Sequence, residues 1–158
     1  MLFRSVAGLA LIATSARFGD PQQWHDRAGT VREGGTAAIA DATMGRWFAA
    51  RFREHQPAAV ELMRAMFVGA PSEGYAACCE ALGGWDSRDE LERIAAPTLV
   101  IVGTEDPDTP PDHAAELARG IPGARREVVD DAAHLVNLEK PEVVTPLLRE
   151  HLDGEGRG

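Results

Sequence analysis

Pro97 to Pro111 read PTLVIVGTEDPDTPP: an apolar run from Leu99 to Val102, closed by Gly103 and followed by a loop of acids and prolines. A strand covered on one face alternates apolar and polar residues. One that stays apolar throughout is predicted to be buried on both faces, inside a parallel sheet. Upstream, Ser87 and Glu90 form a capping box for a short helix to Ile94. Downstream, Thr109 is placed to cap a helix with Pro110 in its first turn, and Gly120 to Gly123 ends it. Arg126 to Val129 reads as a shorter strand, and Pro141 opens a helix whose Val144, Leu147, Leu148 and Leu152 face a core. Strand, helix, strand, helix is a doubly wound α/β layout.

Working back toward the start, the chain changes character. MLFRSVAGLALIATSAR, residues 1–17, has two readings: a charged, apolar and small-residue secretory signal, or a buried β-strand from Val6 to Ala13. Turn residues Phe18 to Pro21 lead into helical periodicity. A first helix is expected over Gln22 to Arg32, broken by Gly34-Gly35. A second begins near Thr36, with Ala40, Met44, Trp47, Phe48 and Phe52 on one face. Pro57 opens a third, striped by Val60, Met63 and Phe67. Pro71-Ser72 starts a fourth that carries Tyr75, Cys78, Cys79 and Leu82.

At 158 residues and 17.0 kDa the chain is sized for one domain with a core. A formal net charge of -9 argues against nucleic acid, whose binding requires clustered Lys and Arg. The same charge means that an anionic substrate would need a local arginine. No apolar run approaches the roughly 20 residues of a membrane span. The two cysteines, Cys78 and Cys79, are adjacent and so form no disulfide framework. They read as two small buried hydrophobes and fit a reducing, cytoplasmic setting. The Gly-rich tail after Asp153 reads as disordered.

In open α/β sheets ligands sit beyond the carboxyl ends of the strands, here after Ala13, Gly103 and Val129. The first loop offers Thr14, Ser15 and Arg17, the second Glu105, Asp106 and Asp108, the third His134. An acid in a loop is usually a turn-former and a lone histidine is usually structural. An acid after one strand and a histidine after the next, however, is the arrangement that orients an imidazole as general base for a serine. A metal is not expected. Pro110 and Pro111 stiffen the acidic loop, and His25, His55, His113 and His151 lack ligand spacing. No cofactor is implied. The G-x-S-x-G elbow that presents a nucleophile does not occur. GAPSEG, residues 69–74, has one residue too many and lies in a helical segment.

APTLVIVGTEDPDTPP with AAHLVNLEKPE, after GRWF, PSEGYAACCEAL and an opening LALIATSARFG, resembles the 3-oxoadipate enol-lactonases of the α/β-hydrolase superfamily. The strand-loop and His-loop motifs are superfamily-wide, and the helical motifs are narrower. The resemblance runs from about Val6 to Leu152 and covers only the second part of the family's length. It implies a partial α/β-hydrolase fold: core strand and junction over 1–19, helical cap over 20–86, C-terminal core over 87–153 and tail over 154–158. It favours the core-strand reading of Val6 to Ala13, and leaves Met1 to Ser5 outside the pattern as a false or alternative start.

The resemblance further implies lactone hydrolysis by a Ser-Asp-His triad, with Asp106 and His134 as its acid and base and the serine absent, so that the chain alone is expected to be inactive. Within G-x-x-D it selects Asp106 over Glu105 and Asp108. The substrate is a small carboxylate-bearing lactone, for which Arg17 is the first candidate cation and Arg46 the second. Trp24, Trp47 and Tyr75 are expected to line the pocket. The expected partners are the missing N-terminal half or a second copy. The competing readings are another ester, lactone or C–C bond as substrate, or a non-catalytic remnant.

Overall fold

The computed structural model describes residues 6–154. The expectations for Met1 to Ser5, and for the tail beyond Gly154, lie outside them. A three-stranded parallel sheet in the order β1-β2-β3 forms one layer: β1 is Leu9–Ile12, β2 Thr98–Gly103 and β3 Arg125–Val129. Leu9 pairs with Thr98 and Ile12 with Ile101. Leu99 pairs with Arg125 and Gly103 with Val129.

β2 is buried along its whole length, as its unbroken apolar run requires. Val100 and Val102 pack against Ala114 and Leu117 of α6, Pro111–Gly120, and against Ile121 just past its end. Leu99 and Ile101 project to the other face, against Val144, Leu147 and Leu148 of α8, Pro141–Gly154. The stripe of α8 ends before Leu152, which is 59% exposed. His151 donates from Nε2 to the carbonyl of Leu9, the first residue of β1, so the next residue falls past the end of the sheet.

Between β1 and β2 lie five helices, α1 Pro21–Gly34, α2 Ala40–Trp47, α3 Ala50–His55, α4 Pro57–Val68 and α5 Ser72–Gly83. The single helix expected from Thr36 to Phe52 is therefore three pieces: a 3-10 turn at Thr36–Ile39, then α2 and α3. Phe48 is extended, which breaks the helix and frees two backbone groups. Both are taken up by the segment after His134. The Trp47 carbonyl accepts from the Leu135 amide at 2.9 Å, and the Ala49 amide donates to Glu139 Oε2 at 3.0 Å. A tertiary contact overrides the local helical pattern here. Phe48 still reaches the core through the break, with Ala40, Met44 and Phe67.

Two expected caps also differ. The segment after Ser87 is a 3-10 helix, Arg88–Arg93, and the Ser87 hydroxyl donates to the Ala16 carbonyl rather than closing a capping box. Thr109 does not cap α6, whose N-cap is Pro110, because its hydroxyl is committed to Asp106. Of the cysteines only Cys79 is buried, while Cys78 is exposed. No helix among the described residues is long and apolar enough to cross a membrane.

Candidate active site

The loop after β2 folds around one carboxylate. Asp106 Oδ1 accepts the amides of Asp108 and Thr109 at 2.8 and 2.9 Å. Its Oδ2 accepts the Thr109 hydroxyl at 2.7 Å and His134 Nδ1–H at 2.9 Å. The residue is 3% exposed. Burial pushes its carboxyl up, but the donors from His134 and Thr109 outweigh burial and hold it below the ordinary aspartate value. An ionised carboxylate only accepts, so Nδ1 carries the ring proton and Nε2 is left as the basic nitrogen. Neighbouring Glu105 is exposed, and Asp108 pairs with Arg46.

The histidine loop is held at several points. Gly103 ends β2 where a Cβ would stand 2.2 Å from the Ala132 carbonyl oxygen, a spacing open only to glycine. That approach lets Glu105 donate its amide to the Ala132 carbonyl at 2.9 Å. Asp131 takes a left-handed backbone, φ 53°, and donates its amide to Thr104 Oγ1 at 3.1 Å. Glu139, on the short helix α7, Val136–Glu139, accepts the Ala133 amide at 2.7 Å and the Ala49 amide at 3.0 Å. One buried carboxylate thus ties the residue preceding His134 to the break between α2 and α3. Burial raises the Glu139 carboxyl despite those two amides.

His134 lines a cavity of about 710 Å³ between the sheet's carboxyl end and the helices. Trp24, Arg46, Trp47 and Tyr75 line it as well, and Trp47 stacks over the imidazole with centroids 6.5 Å apart. Arg17 is placed elsewhere: it is exposed, bridges backbone to backbone with Asp86 and does not line the cavity. Arg46 lines the cavity with its charge already met by Asp108.

Three lining features were not read from the sequence. Arg27 sits three residues after Trp24 on α1, a helical spacing that could have nominated it. His113 Nδ1 is buried without a hydrogen-bond partner among the described residues. Ala13 turns off the end of β1 with φ 46°, a conformation uncommon for a non-glycine residue and frequent at functional sites. No serine of the described residues lines the cavity. Ser15 and Ser87 donate their hydroxyls to the carbonyls of Arg17 and Ala16. No cluster of metal-ligating side chains occurs among the described residues.

A parallel sheet with helices on both faces, and a loop aspartate bonded to a loop histidine at its carboxyl end, define an α/β-hydrolase core. The chain belongs to the alpha/beta hydrolase family, whose sequence profile matches residues 2–147. It is similar to 3-oxoadipate enol-lactonase 2 of Acinetobacter baylyi, 40% identical over 129 residues, 82% of this chain and 48% of that protein. Among solved structures it resembles the enol-lactonase of Burkholderia xenovorans LB400, at TM-score 0.89 and 40% identity over 94% of this chain and 56% of that one. It also resembles an esterase of Thermogutta terrifontis solved with malate bound, at TM-score 0.87 and 35% identity over 94% and 56% of the two chains. The chain spans about half the length of these relatives.

Proposed function

We propose that these residues are the cap and the acid and base of a hydrolase that opens 3-oxoadipate enol-lactone, with the attacking serine supplied by a segment outside the 158 residues. The observation that carries the reading is the 2.9 Å bond from His134 Nδ1 to buried Asp106, beneath helices that close a cavity over the imidazole. The serine hydroxyl attacks the lactone carbonyl while His134 Nε2 takes its proton. Asp106 holds the tautomer and stabilises the imidazolium. The ring oxygen leaves as an enolate, which takes that proton back from the imidazolium and becomes the ketone, leaving Nε2 bare again. Water, deprotonated by the same nitrogen, then releases 3-oxoadipate from the acyl-enzyme.

The edges of the sheet support a missing partner segment. β3 carries Arg125, Arg126 and Glu127 and is largely exposed, the charged pattern of a natural edge. β1 reads Leu-Ala-Leu-Ile, half-buried and without a charge, the pattern of an interior strand. We assign the serine-bearing segment to the open side of β1. A second reading, hydrolysis of another ester or lactone, is favoured by the likeness to the Thermogutta esterase, nearly as strong as that to the enol-lactonase.

The test is a fusion of this chain behind the preceding segment of the Burkholderia enol-lactonase, assayed for enol-lactone hydrolysis beside the chain alone. Activity in the fusion only, abolished by His134→Ala, is expected. Turnover by the chain alone contradicts the division of labour. A fusion that cleaves simple esters but not the enol-lactone contradicts the substrate.

A further inference from the structure

Six arginines of the described residues lie against carboxylates: Arg32, Arg46, Arg64, Arg88, Arg93 and Arg125. Arg27 does not. It is half-buried in the cavity wall that it shares with His134, and the side chains on it are neutral, the hydroxyls of Tyr75 and Thr43 with the Cys79 thiol beside them. Nε donates to the Tyr75 hydroxyl at 2.9 Å and an Nη2 proton to Thr43 Oγ1 at 2.8 Å, while the guanidinium carbon lies 5.6 Å from the Tyr75 ring centre. Side chains from α1, α2 and α5 thus fix the orientation of a cation whose charge no described acid offsets, in a chain of net charge -9. A guanidinium held through Nε and one Nη2 proton, with no carboxylate on its other donors among the described residues, is pre-organised for a planar anion.

We infer that Arg27 is the anion subsite of this cavity and receives the carboxylate arm of the substrate, in place of Arg17 or Arg46. The inference rests on the lactone reading above and specifies which end of the ligand faces the cap. Arg46 is occupied by Asp108 and Arg17 lies off the cavity, whereas Arg27 has the position and the unmet charge. Thr43 is buried. Its hydroxyl donates to the Ile39 carbonyl at 2.8 Å and so presents its lone pairs to the arginine. The neutral partners hold the guanidinium without neutralising it.

The probes are furan-2-acetate, a ring with a one-carbon carboxylate arm, and its methyl ester. Calorimetric titration of the 158-residue chain is expected to show binding of the carboxylate at least about tenfold tighter than of the ester. In Arg27→Gln that preference falls to near one, and Arg27→Lys restores part of it. Should Arg27→Gln fail to fold, the Nε–H resonance of Arg27 in the wild-type chain decides: it shifts with furan-2-acetate and not with the ester. Equal affinity for the two probes, a preference unchanged in Arg27→Gln, or an unmoved resonance overturns the assignment. The fusion separates this proposal from the activity. Enol-lactone turnover with KM unchanged in Arg27→Gln sinks the subsite alone. A carboxylate preference that depends on Arg27, in a fusion that cannot open the enol-lactone, sinks the substrate alone.

Discussion

Glu139 accepts the backbone amide of Ala133, the residue before the candidate base, at 2.7 Å, and its other oxygen holds the Ala49 amide that the break at Phe48 frees. The His134 loop and the break between α2 and α3 are therefore tied by one carboxylate that lies outside the hydrogen-bonded Asp106–His134 pair.

Glu139→Gln offers one carbonyl oxygen where two amides need acceptors, and turns an NH2 group against the second. It is expected to cost about 1–3 kcal/mol of stability, read by urea unfolding. The folded-state pKa of Glu139 is raised, so the native protein holds this proton at pH values where the unfolded chain has released it. The group's contribution is thus full below the ordinary glutamate value and declines as pH rises through the raised one. Loss of that decline in Glu139→Gln is the signature. An identical pH profile in both proteins removes Glu139 from this role.

Asp106 has the opposite sign. Its folded pKa is lowered, so the stability it contributes is present above the ordinary aspartate value and is lost as pH falls through the folded one. Asp106→Asn is expected to flatten the acid limb of the thermal-unfolding curve. In the active fusion it should lower kcat about a thousandfold or more, because the imidazole then loses the partner that fixes its tautomer. A loss of tenfold or less would argue against the pairing.

Gly103→Ala places a Cβ against the Ala132 and Ala133 carbonyl oxygens, both part of the backbone and unable to swing aside. Destabilisation of about 2–4 kcal/mol is expected, with displacement of the His134 loop. A neutral result in chemical denaturation would contradict the close approach.

The open side of β1 predicts self-association of the isolated chain, measurable by sedimentation velocity. Leu9 donates its amide to the Pro97 carbonyl just before β2 and Ala13 to Ile101 within it, so by alternation the Ala10 amide faces the open side. Ala10→Pro removes that donor and leaves the inner ladder intact, and it is expected to shift the chain toward monomer. A wild-type chain that is monomeric throughout contradicts the open-edge reading.

The parallel core was legible because β2 and its two covering helices carry their burial in local pattern: an unbroken run flanked by striped helices. The pairing of Asp106 with His134 was legible because each lies in the loop that follows a strand. Other features arise only when distant segments meet. The break at Phe48 depends on Leu135 and Glu139, far along the chain, so a helical stripe concealed it. Thr109 reads as a cap by position, yet its hydroxyl is drawn to the buried acid. Arg17 was nominated by its place after a strand, but the chain turns at Ala13 and carries it off the cavity, while Arg27 arrives from a helix with no motif to mark it.

On the proposed function, Asp106 fixes the imidazole of His134 with Nδ1 protonated and Nε2 bare, ready to take a proton. Nitrogen-15 NMR of the neutral His134 ring in the 158-residue chain reads the tautomer. The Nδ1–H tautomer is expected in the wild type, with a shift toward the Nε2–H form in Asp106→Asn. An Nε2–H tautomer in both proteins would contradict it.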